Sequence, residues 1–240
     1  MNLGECDNAG LFGRIHNNGE VRNLTIAANI QIIKDDVSTS NVVGAFAGNV
    51  DHATFYHCHY TGNLTIFTGY IGGMVGTATG ATIQLCSNTG TLTNLNEGGV
   101  VGGMIGIDNG SRLTGCYSTA DITLSDYAGT CGGMVGETHS KATIKACWTS
   151  GKYLATTKGG MAGSGNYNIS YCYWSMHYRA VGGGSWSSSN TGTFGGTTPS
   201  ENQIDMMNVQ LSSLGWKYQK DGTLVPMEGN SLPSNPIKPW

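Results

Sequence analysis

A five-residue glycine phrase recurs along this chain at nearly constant spacing. It reads AGLFG at 9–13, GAFAG at 44–48, GGMVG at 72–76, GGMIG at 102–106, GGMVG at 132–136 and GGMAG at 159–163. The closing glycines lie 35, 28, 30, 30 and 27 residues apart. A period of this length indicates a stacked repeat architecture, in which each unit buries its apolar side against its neighbours.

Three further positions repeat together with the phrase. The first is an apolar column of Val21, Phe55, Ile83, Leu113, Ile144 and Ile169, the second a mostly cysteine column of Leu24, Cys58, Cys86, Cys116, Cys147 and Cys172, and the third a column of Ile30, Leu64, Leu92, Ile122, Tyr153 and Tyr178. Short segments rich in Thr, Val and Ile between Gly, Asn and Ser predict three strands per unit. The expected fold is all-β, a right-handed parallel β-helix (β-solenoid) of about six coils.

Two details of the pattern refine this expectation. The apolar and cysteine columns are three residues apart although both are apolar, so we expect a bulge or corner between them. The period ends near residue 180, which divides the chain into a solenoid (1–180) and a C-terminal part (181–240) of the same structural domain.

The C-terminal part combines a loop-like composition with two element signals. Residues 181–200 are rich in Gly and Ser and predict a flexible loop. Ser200 and Gln203 form a capping-box pattern ahead of a helical apolar spacing, and Asp221-Gly222 predicts a type I′ hairpin turn. We expect the helix and the hairpin to form a small C-terminal cap over the last coil.

Charge and hydropathy exclude several classes of function. Charged residues make up 11% of the chain, the net charge is -3, and there are 12 Lys and Arg residues in all, so no basic surface for nucleic acid is expected. No apolar run approaches the roughly 20 residues of a membrane-spanning helix. The first residues contain no apolar leader, and we expect this chain to derive from a longer exported precursor.

The cysteines and histidines predict no cofactor or metal site. The seven cysteines include no CxxC pair, and Cys131 occupies the place of Val43, Ile71 and Val101. Neighbours in a parallel ladder have Cβ atoms about 4.8 Å apart, beyond the ~3.8 Å that a disulfide prefers. We therefore predict a stack of free, buried thiols. His57 and His59 flank Cys58 without a third ligand, which favours a structural role.

The repeat resembles the GLUG repeat, a glycine-rich motif of bacterial surface proteins. GGMIGIDNGSRLTGCYSTADITL (102–124) carries the resemblance most clearly, and it extends over about 9–180. Membership would imply a large exported protein, such as an adhesin-like chain or an immunoglobulin-protease precursor. The first coil lacks the cysteine, and the protease signature HExxH does not occur in the sequence.

Three functions stay open at the level of sequence. The first is a non-enzymatic surface module that faces host or bacterial glycans or surface proteins. Its ligand-binding stripe would be an exposed aromatic ladder at the position after the cysteines, comprising Tyr117, Trp148 and Tyr173, with Trp174 beside it. The second is a carbohydrate-active β-helix enzyme, a lyase or glycoside hydrolase, that uses Asp108 with Glu137 or His139. The third is a purely structural stalk.

Overall fold

Each glycine phrase opens a coil of a parallel β-solenoid in the computed structural model, which describes residues 8–32, 41–67, 69–95, 98–125, 128–175 and 177–228. Four parallel sheets of six, five, twelve and seven strands run along the stack. The predicted all-β solenoid is confirmed. A full coil contains five short strands rather than three, because bends at the glycine phrase and before the cysteine column divide the chain further.

The first three coils, counted from the N-terminus, contain five strands each. Their strands are β1 (Asn8–Ala9), β2 (Phe12–Ile15), β3 (Glu20–Arg22), β4 (Thr25–Ala27) and β5 (Ile30–Ile32); β6 (Asn41–Gly44), β7 (Ala47–Asp51), β8 (Thr54–Tyr56), β9 (His59–Thr61) and β10 (Asn63–Ile66); and β11 (Gly69–Gly72), β12 (Val75–Thr79), β13 (Thr82–Gln84), β14 (Ser87–Asn88) and β15 (Thr91–Asn94).

The remaining coils shorten towards the C-terminal end of the stack. Their strands are β16 (Gly99–Gly102), β17 (Ile105–Asn109), β18 (Arg112–Thr114), β19 (Tyr117–Ser118) and β20 (Asp121–Leu124); β21 (Gly129–Gly132), β22 (Val135–Thr138), β23 (Ala142–Lys145), β24 (Trp148–Thr149) and β25 (Tyr153–Leu154); β26 (Thr157–Gly159), β27 (Ala162–Ser170) and β28 (Tyr173–Ser175); and β29 (Val181–Ser189) and β30 (Gly192–Phe194).

The columns identified in the sequence are in register in the structure. Ile83 pairs with Phe55 in the preceding coil and with Leu113 in the following one, and all three side chains are fully buried. Leu92 pairs in the same way with Leu64 and Ile122. The core is therefore a set of parallel side-chain ladders that run the length of the solenoid.

The doubled glycine of the last four phrases is explained by crowding of the backbone within and between coils. A Cβ on Gly102 would lie 1.8 Å from the carbonyl oxygen of Ile105 in its own coil and 2.6 Å from the backbone nitrogen of Gly136 in the next coil. One on Gly103 would lie 1.9 Å from the carbonyl oxygen of Gly133 and 2.4 Å from Ser118 Oγ. The backbone thus fills the space that any side chain would need, and the phrase recurs because each coil repeats this close approach.

The predicted corner before the cysteine column is a single residue in the left-handed region. The φ angles at this position are 51° at His57, 57° at Leu85, 65° at Gly115, 51° at Ala146 and 52° at Tyr171. A left-handed residue changes the direction of the chain. The apolar and cysteine side chains, which are three residues apart, therefore both point inward. Non-glycine residues adopt this conformation at a cost of about 1–2 kcal/mol each, which the stacking of the coils offsets.

The prediction of a flexible loop at 181–200 is wrong for most of these residues, because they form two strands. β29 pairs with β27 from Ala162↔Val181 to Ser170↔Ser189, and β30 pairs with β28. Strand formation depends mainly on what a segment packs against. β27 offers nine residues of continuous template, which outweighs the low strand propensity of a Gly- and Ser-rich segment.

The predicted C-terminal helix is confirmed as α1 (Glu201–Leu211). The N–H of Ser200 donates to Gln203 Oε1 at 2.9 Å, and the helix buries Ile204 and Met207. A short 3-10 turn (Ser212–Leu214) and the left-handed Gly215 end it. No helix in the described ranges has the length and hydropathy needed to cross a membrane.

The hairpin of β31 (Trp216–Tyr218) and β32 (Leu224–Pro226) is also confirmed, although its turn is not type I′. Gly222 is left-handed, with a φ of 81°, whereas Asp221 is not, and type I′ requires both.

We name residues 200–226 the flank segment, because they lie along the side of the solenoid and not over its end. Trp216 Nε1 donates to the Tyr56 hydroxyl at 2.9 Å. The Tyr218 hydroxyl donates to the carbonyls of Cys116 and Ala146 at 3.0 and 3.1 Å. The flank segment therefore lies against part of the seven-stranded sheet that runs from β4 to β30.

Candidate functional site

The aromatic ladder predicted after the cysteine column is in register. Tyr117 pairs with Trp148, and Trp148 pairs with Tyr173. The rings of Tyr117 and Trp148 are stacked, with centroids 5.2 Å apart and planes inclined by 3°. Direct neighbours in a sheet place like side chains within reach of each other, so stacking follows from the register.

The prediction that this ladder is an exposed ligand-binding stripe is wrong, because the flank segment covers most of it. Trp148 and Tyr173 are 2% and 4% exposed. Trp148 Nε1 donates to the Gly222 carbonyl at 3.2 Å. Trp174 is 7% exposed and packs in the solenoid interior, where its Nε1 donates to a carbonyl. Of the four predicted residues, Tyr117 retains an accessible, half-buried ring.

A groove of about 290 Å³ remains where the flank hairpin stands beside the uncovered part of this column. One wall is formed by His59, Ser87 and Tyr117, which are in register in three successive coils. Thr223 and Leu224 of the hairpin form the other wall. The groove is completed by Thr25, Tyr60, Thr61 and Thr89. We name it the flank groove.

The flank groove carries no formal charge at pH 7. None of the described residues that line it is Lys, Arg, Asp or Glu. His59 Nδ1 lies 2.8 Å from Ser87 Oγ. Burial, and to a smaller extent the charge of His57, lowers the pKa of His59 to about 4. Because Nδ1 is bonded to Ser87, Nε2 is the ring nitrogen that remains for a ligand, and the groove presents threonine hydroxyls, this nitrogen and a tyrosine ring.

Sequence reasoning identified one wall of this groove and missed the other. His59, Ser87 and Tyr117 follow from the repeat period. The hairpin wall belongs to no repeat, and no periodic signal links Thr223 to the coils that it faces.

The predicted column of buried thiols is confirmed. The six cysteines in the described part of the chain are free and buried, and Cys6 lies outside it. Backbone N–H groups donate to sulfur in the next coil, from Cys58 to Cys86 Sγ at 3.3 Å and from Cys116 to Cys147 Sγ at 3.3 Å. Burial raises the pKa of Cys86 and Cys147 well above the usual thiol value, which disfavours the thiolate form at these two positions.

The structure contradicts the predicted pairing of Asp108 with Glu137 or His139. Asp108 is fully buried, and its carboxylate accepts hydrogen bonds from the N–H groups of Gly110 and Ser111 and from Thr138 Oγ1, each at 3.1 Å. Burial raises the pKa of Asp108, and these hydrogen bonds oppose the rise. The Asp108 carboxylate therefore closes the turn at residues 108–111.

Glu137 and His139 lie on the outer surface of the same sheet. Their side chains approach each other, with His139 Nε2 3.6 Å from Glu137 Oε1, and His139 is well exposed. Because Asp108 faces inward and Glu137 faces outward, no single substrate can contact both. The candidate acid–base residues therefore do not converge.

His57 and His59 have structural partners, as predicted. Their rings meet edge to face with centroids 4.6 Å apart, and His57 also contacts the ring of Trp216 at 4.5 Å. His57 Nδ1 lies 3.1 Å from Asn23 Oδ1. Among the residues that the structure describes, no cluster of three His, Cys, Asp or Glu side chains could hold a metal ion.

The β-solenoid fold of this chain is shared with a known protein. No family model matches the chain, and no curated protein matches its sequence. A solved structure of an IgA1 protease is similar, with a TM-score of 0.51 and 19% sequence identity. The similarity covers 80% of this chain and 18% of that chain. At this identity the likeness shows a shared β-solenoid fold, and the resemblance to the GLUG repeat stays a prediction.

Proposed function

We propose that this chain is a non-enzymatic, exported binding module whose flank groove takes an uncharged glycan. The observation that carries the proposal is the composition of the groove, which combines hydroxyl groups, a neutral imidazole and the accessible ring of Tyr117. Sugars offer many hydroxyls and an apolar ring face, and both find partners in such a site. Export is supported by the resemblance to the GLUG repeat.

The size of the groove limits the ligand. His59, Ser87 and Tyr117 occupy successive coils, so they span about 10 Å at the strand spacing of a parallel sheet. The volume of about 290 Å³ is near the lower end of small-molecule sites. We expect a short, neutral oligosaccharide segment to be bound.

The separation of the candidate catalytic residues supports a binding role over catalysis. Glycoside hydrolysis uses two carboxyl groups on either side of one bond. Asp108 and Glu137 lie on opposite faces of their sheet and cannot be arranged in this way.

A glycan array that compares neutral, sulfated and uronic-acid glycans tests the proposal. We expect binding of neutral glycans, lost by at least about tenfold in Tyr117→Ala and retained in Tyr117→Phe, which keeps the ring. Tyr70→Ala is the matched control, because Tyr70 is a half-buried tyrosine on the sheet of β11, away from the groove. Preference for acidic glycans, absence of any glycan binding, or release of reducing sugars would each contradict the proposal.

A further inference from the structure

The first coil leaves one end of the solenoid core open. Each of its five strands lies at the end of its sheet, and no described strand pairs with their outer sides. Phe12 continues the inward column of Ala47 and Val75, which are fully buried, yet Phe12 is 40% exposed and the neighbouring Leu11 is 51% exposed. The end of a stack that exposes its apolar columns in this way is a surface for a further layer.

The opposite end of the stack carries two features that oppose further stacking. Lys158 of β26 continues the inward column of Val101 and Cys131, so a charged residue stands where another coil would require an apolar one. On β30, the Thr193 carbonyl accepts a hydrogen bond from Gln203 Nε2 of α1 at 3.0 Å. Proteins protect strand edges with inward-pointing charges and covering helices. Of the two ends, the N-terminal one is therefore the better surface for a partner.

The direction of the backbone groups in β3 is fixed on both sides of the strand. The Gly19 carbonyl accepts a hydrogen bond from β8 at 2.9 Å, and the Asn23 N–H donates to β8 at 3.0 Å. Because successive residues of a strand alternate in direction, the backbone groups of Val21 also point into the stack. Those of Glu20 and Arg22 point to the open edge, where they can pair with another strand.

The sequence of β3 is complementary to itself when two copies pair antiparallel about Val21. Glu20 of one strand then lies opposite Arg22 of the other, and each such pair exchanges two backbone hydrogen bonds. Both side chains are exposed, and within one chain they form an ion pair. The two-fold arrangement creates the same opposite-charge contact between the strands twice, and opposite charges directly across a sheet are favourable.

We propose that the first coil is a dimerisation surface, in which β3 pairs antiparallel with β3 of a second copy of this chain about a two-fold axis at Val21. The two solenoids would meet at their N-terminal ends, and each would cover the open end of the other's core. A two-fold contact closes on itself, so assembly stops at two copies. No residue of β3 lines the flank groove, and neither does Leu11 or Phe12, so the inference does not depend on the function proposed for that groove.

Sedimentation velocity over a concentration series tests the dimer. We expect the wild-type chain to approach twice its mass of 25.1 kDa. Glu20→Arg or Arg22→Glu alone would place like charges opposite each other at two points, so each should weaken dimer formation by at least about tenfold. Glu201→Arg is the matched control, because Glu201 is an exposed, ion-paired glutamate on α1, and it should leave the dimer unchanged.

A mixture of the two weakened variants tests which strands meet. Glu20→Arg has two guanidinium groups on β3 and Arg22→Glu has two carboxylates, so the two chains are complementary to each other. We expect them to form a mixed dimer about as readily as the wild type forms its own. The double variant Glu20→Arg/Arg22→Glu should likewise recover the dimer, because it restores both opposite-charge contacts.

A further variant tests the apolar part of the contact. Phe12→Lys places a charge at the open end of the core, which a monomer leaves in water and a dimer would bury, so dimer formation should weaken by at least about tenfold. Val209→Lys is the matched control, because Val209 is 69% exposed on α1. Circular dichroism verifies that each variant is folded.

Each alternative outcome overturns the proposal. A wild-type chain that stays monomeric throughout the series has no dimerisation surface. Growth beyond the dimer would indicate open-ended stacking of coils in place of a closed pair. A dimer that Glu20→Arg or Phe12→Lys leaves intact is formed by another surface, and so is one whose two weakened variants fail to associate when they are mixed.

Discussion

Adding a single methyl group at Gly103 should separate two coils of the solenoid. The new Cβ would lie 1.9 Å from the Gly133 carbonyl oxygen, whereas ordinary contact begins near 3.4 Å, so the coils must move apart by about 1.5 Å. That movement breaks two ladder hydrogen bonds, from Gly103 N–H to Gly132 O at 3.0 Å and from Met104 N–H to Met134 O at 2.8 Å. Each contributes about 1 kcal/mol, and overpacking costs a further 1–3 kcal/mol, which gives a total of about 3–5 kcal/mol.

Urea and thermal unfolding of Gly103→Ala and of Gly192→Ala measure this effect with identical chemistry. A Cβ on Gly192 would lie 3.7 Å from the ring of Tyr173, which is an ordinary contact, and its φ is not left-handed. We expect Gly192→Ala to stay within about 0.5 kcal/mol of the wild type. Gly103→Ala should lower the Tm by roughly 10 °C. If the two variants unfold alike, crowding between coils is not the reason for the doubled glycine.

Four further predictions concern the core, the flank segment, pH and the thiols. Ile144→Ala, in mid-stack and fully buried, should cost about 2–5 kcal/mol in urea unfolding. Val21→Ala in the first coil should cost less, and equal losses would contradict a stack in which coils depend on both neighbours. Tyr218→Phe leaves the two carbonyls that it bonds without this donor and should cost about 1–3 kcal/mol by the same assay. The folded-state pKa of His59 is about 4, below the unfolded value of about 6.5. Its contribution to stability is therefore complete above pH 6.5 and is lost as the pH falls towards 4, and a urea midpoint that changes with pH equally in His59→Gln would refute this assignment. Thiol titration should be slow in the native protein and rise towards seven equivalents in denaturant, whereas blocked thiols in non-reducing denaturant would reveal disulfides.

The repeat period was enough to predict the fold and its inward columns. Once the closing glycines are aligned, Ile83, Leu113 and Ile144 fall in one column, and parallel pairing follows from the stack. The corner was predicted from spacing alone. Its mechanism was not, because Leu85 and Ala146 are not residue types that signal a left-handed conformation.

The errors arose where contacts join distant parts of the chain. Composition predicted a loop at 181–189, since nothing local indicates that β27 offers a template for this segment. The side chain of Trp148 follows the outward alternation that was predicted, yet it is buried because Gly222 and its neighbours lie over it. Exposure depends on what covers a surface, and periodicity does not describe that.

The position of the flank segment has a consequence for how the molecule folds and opens. Trp216 bonds to Tyr56 across 160 positions of sequence, and the same segment contacts Ala146 and, through Gln203, Thr193. A solenoid held only by neighbouring coils can open locally. Here the separation of any coil along this face also disrupts contacts with the flank segment. The coils that the segment crosses should therefore lose their structure together. Because the segment contacts coils that all precede it in the chain, it can dock only after those coils have stacked.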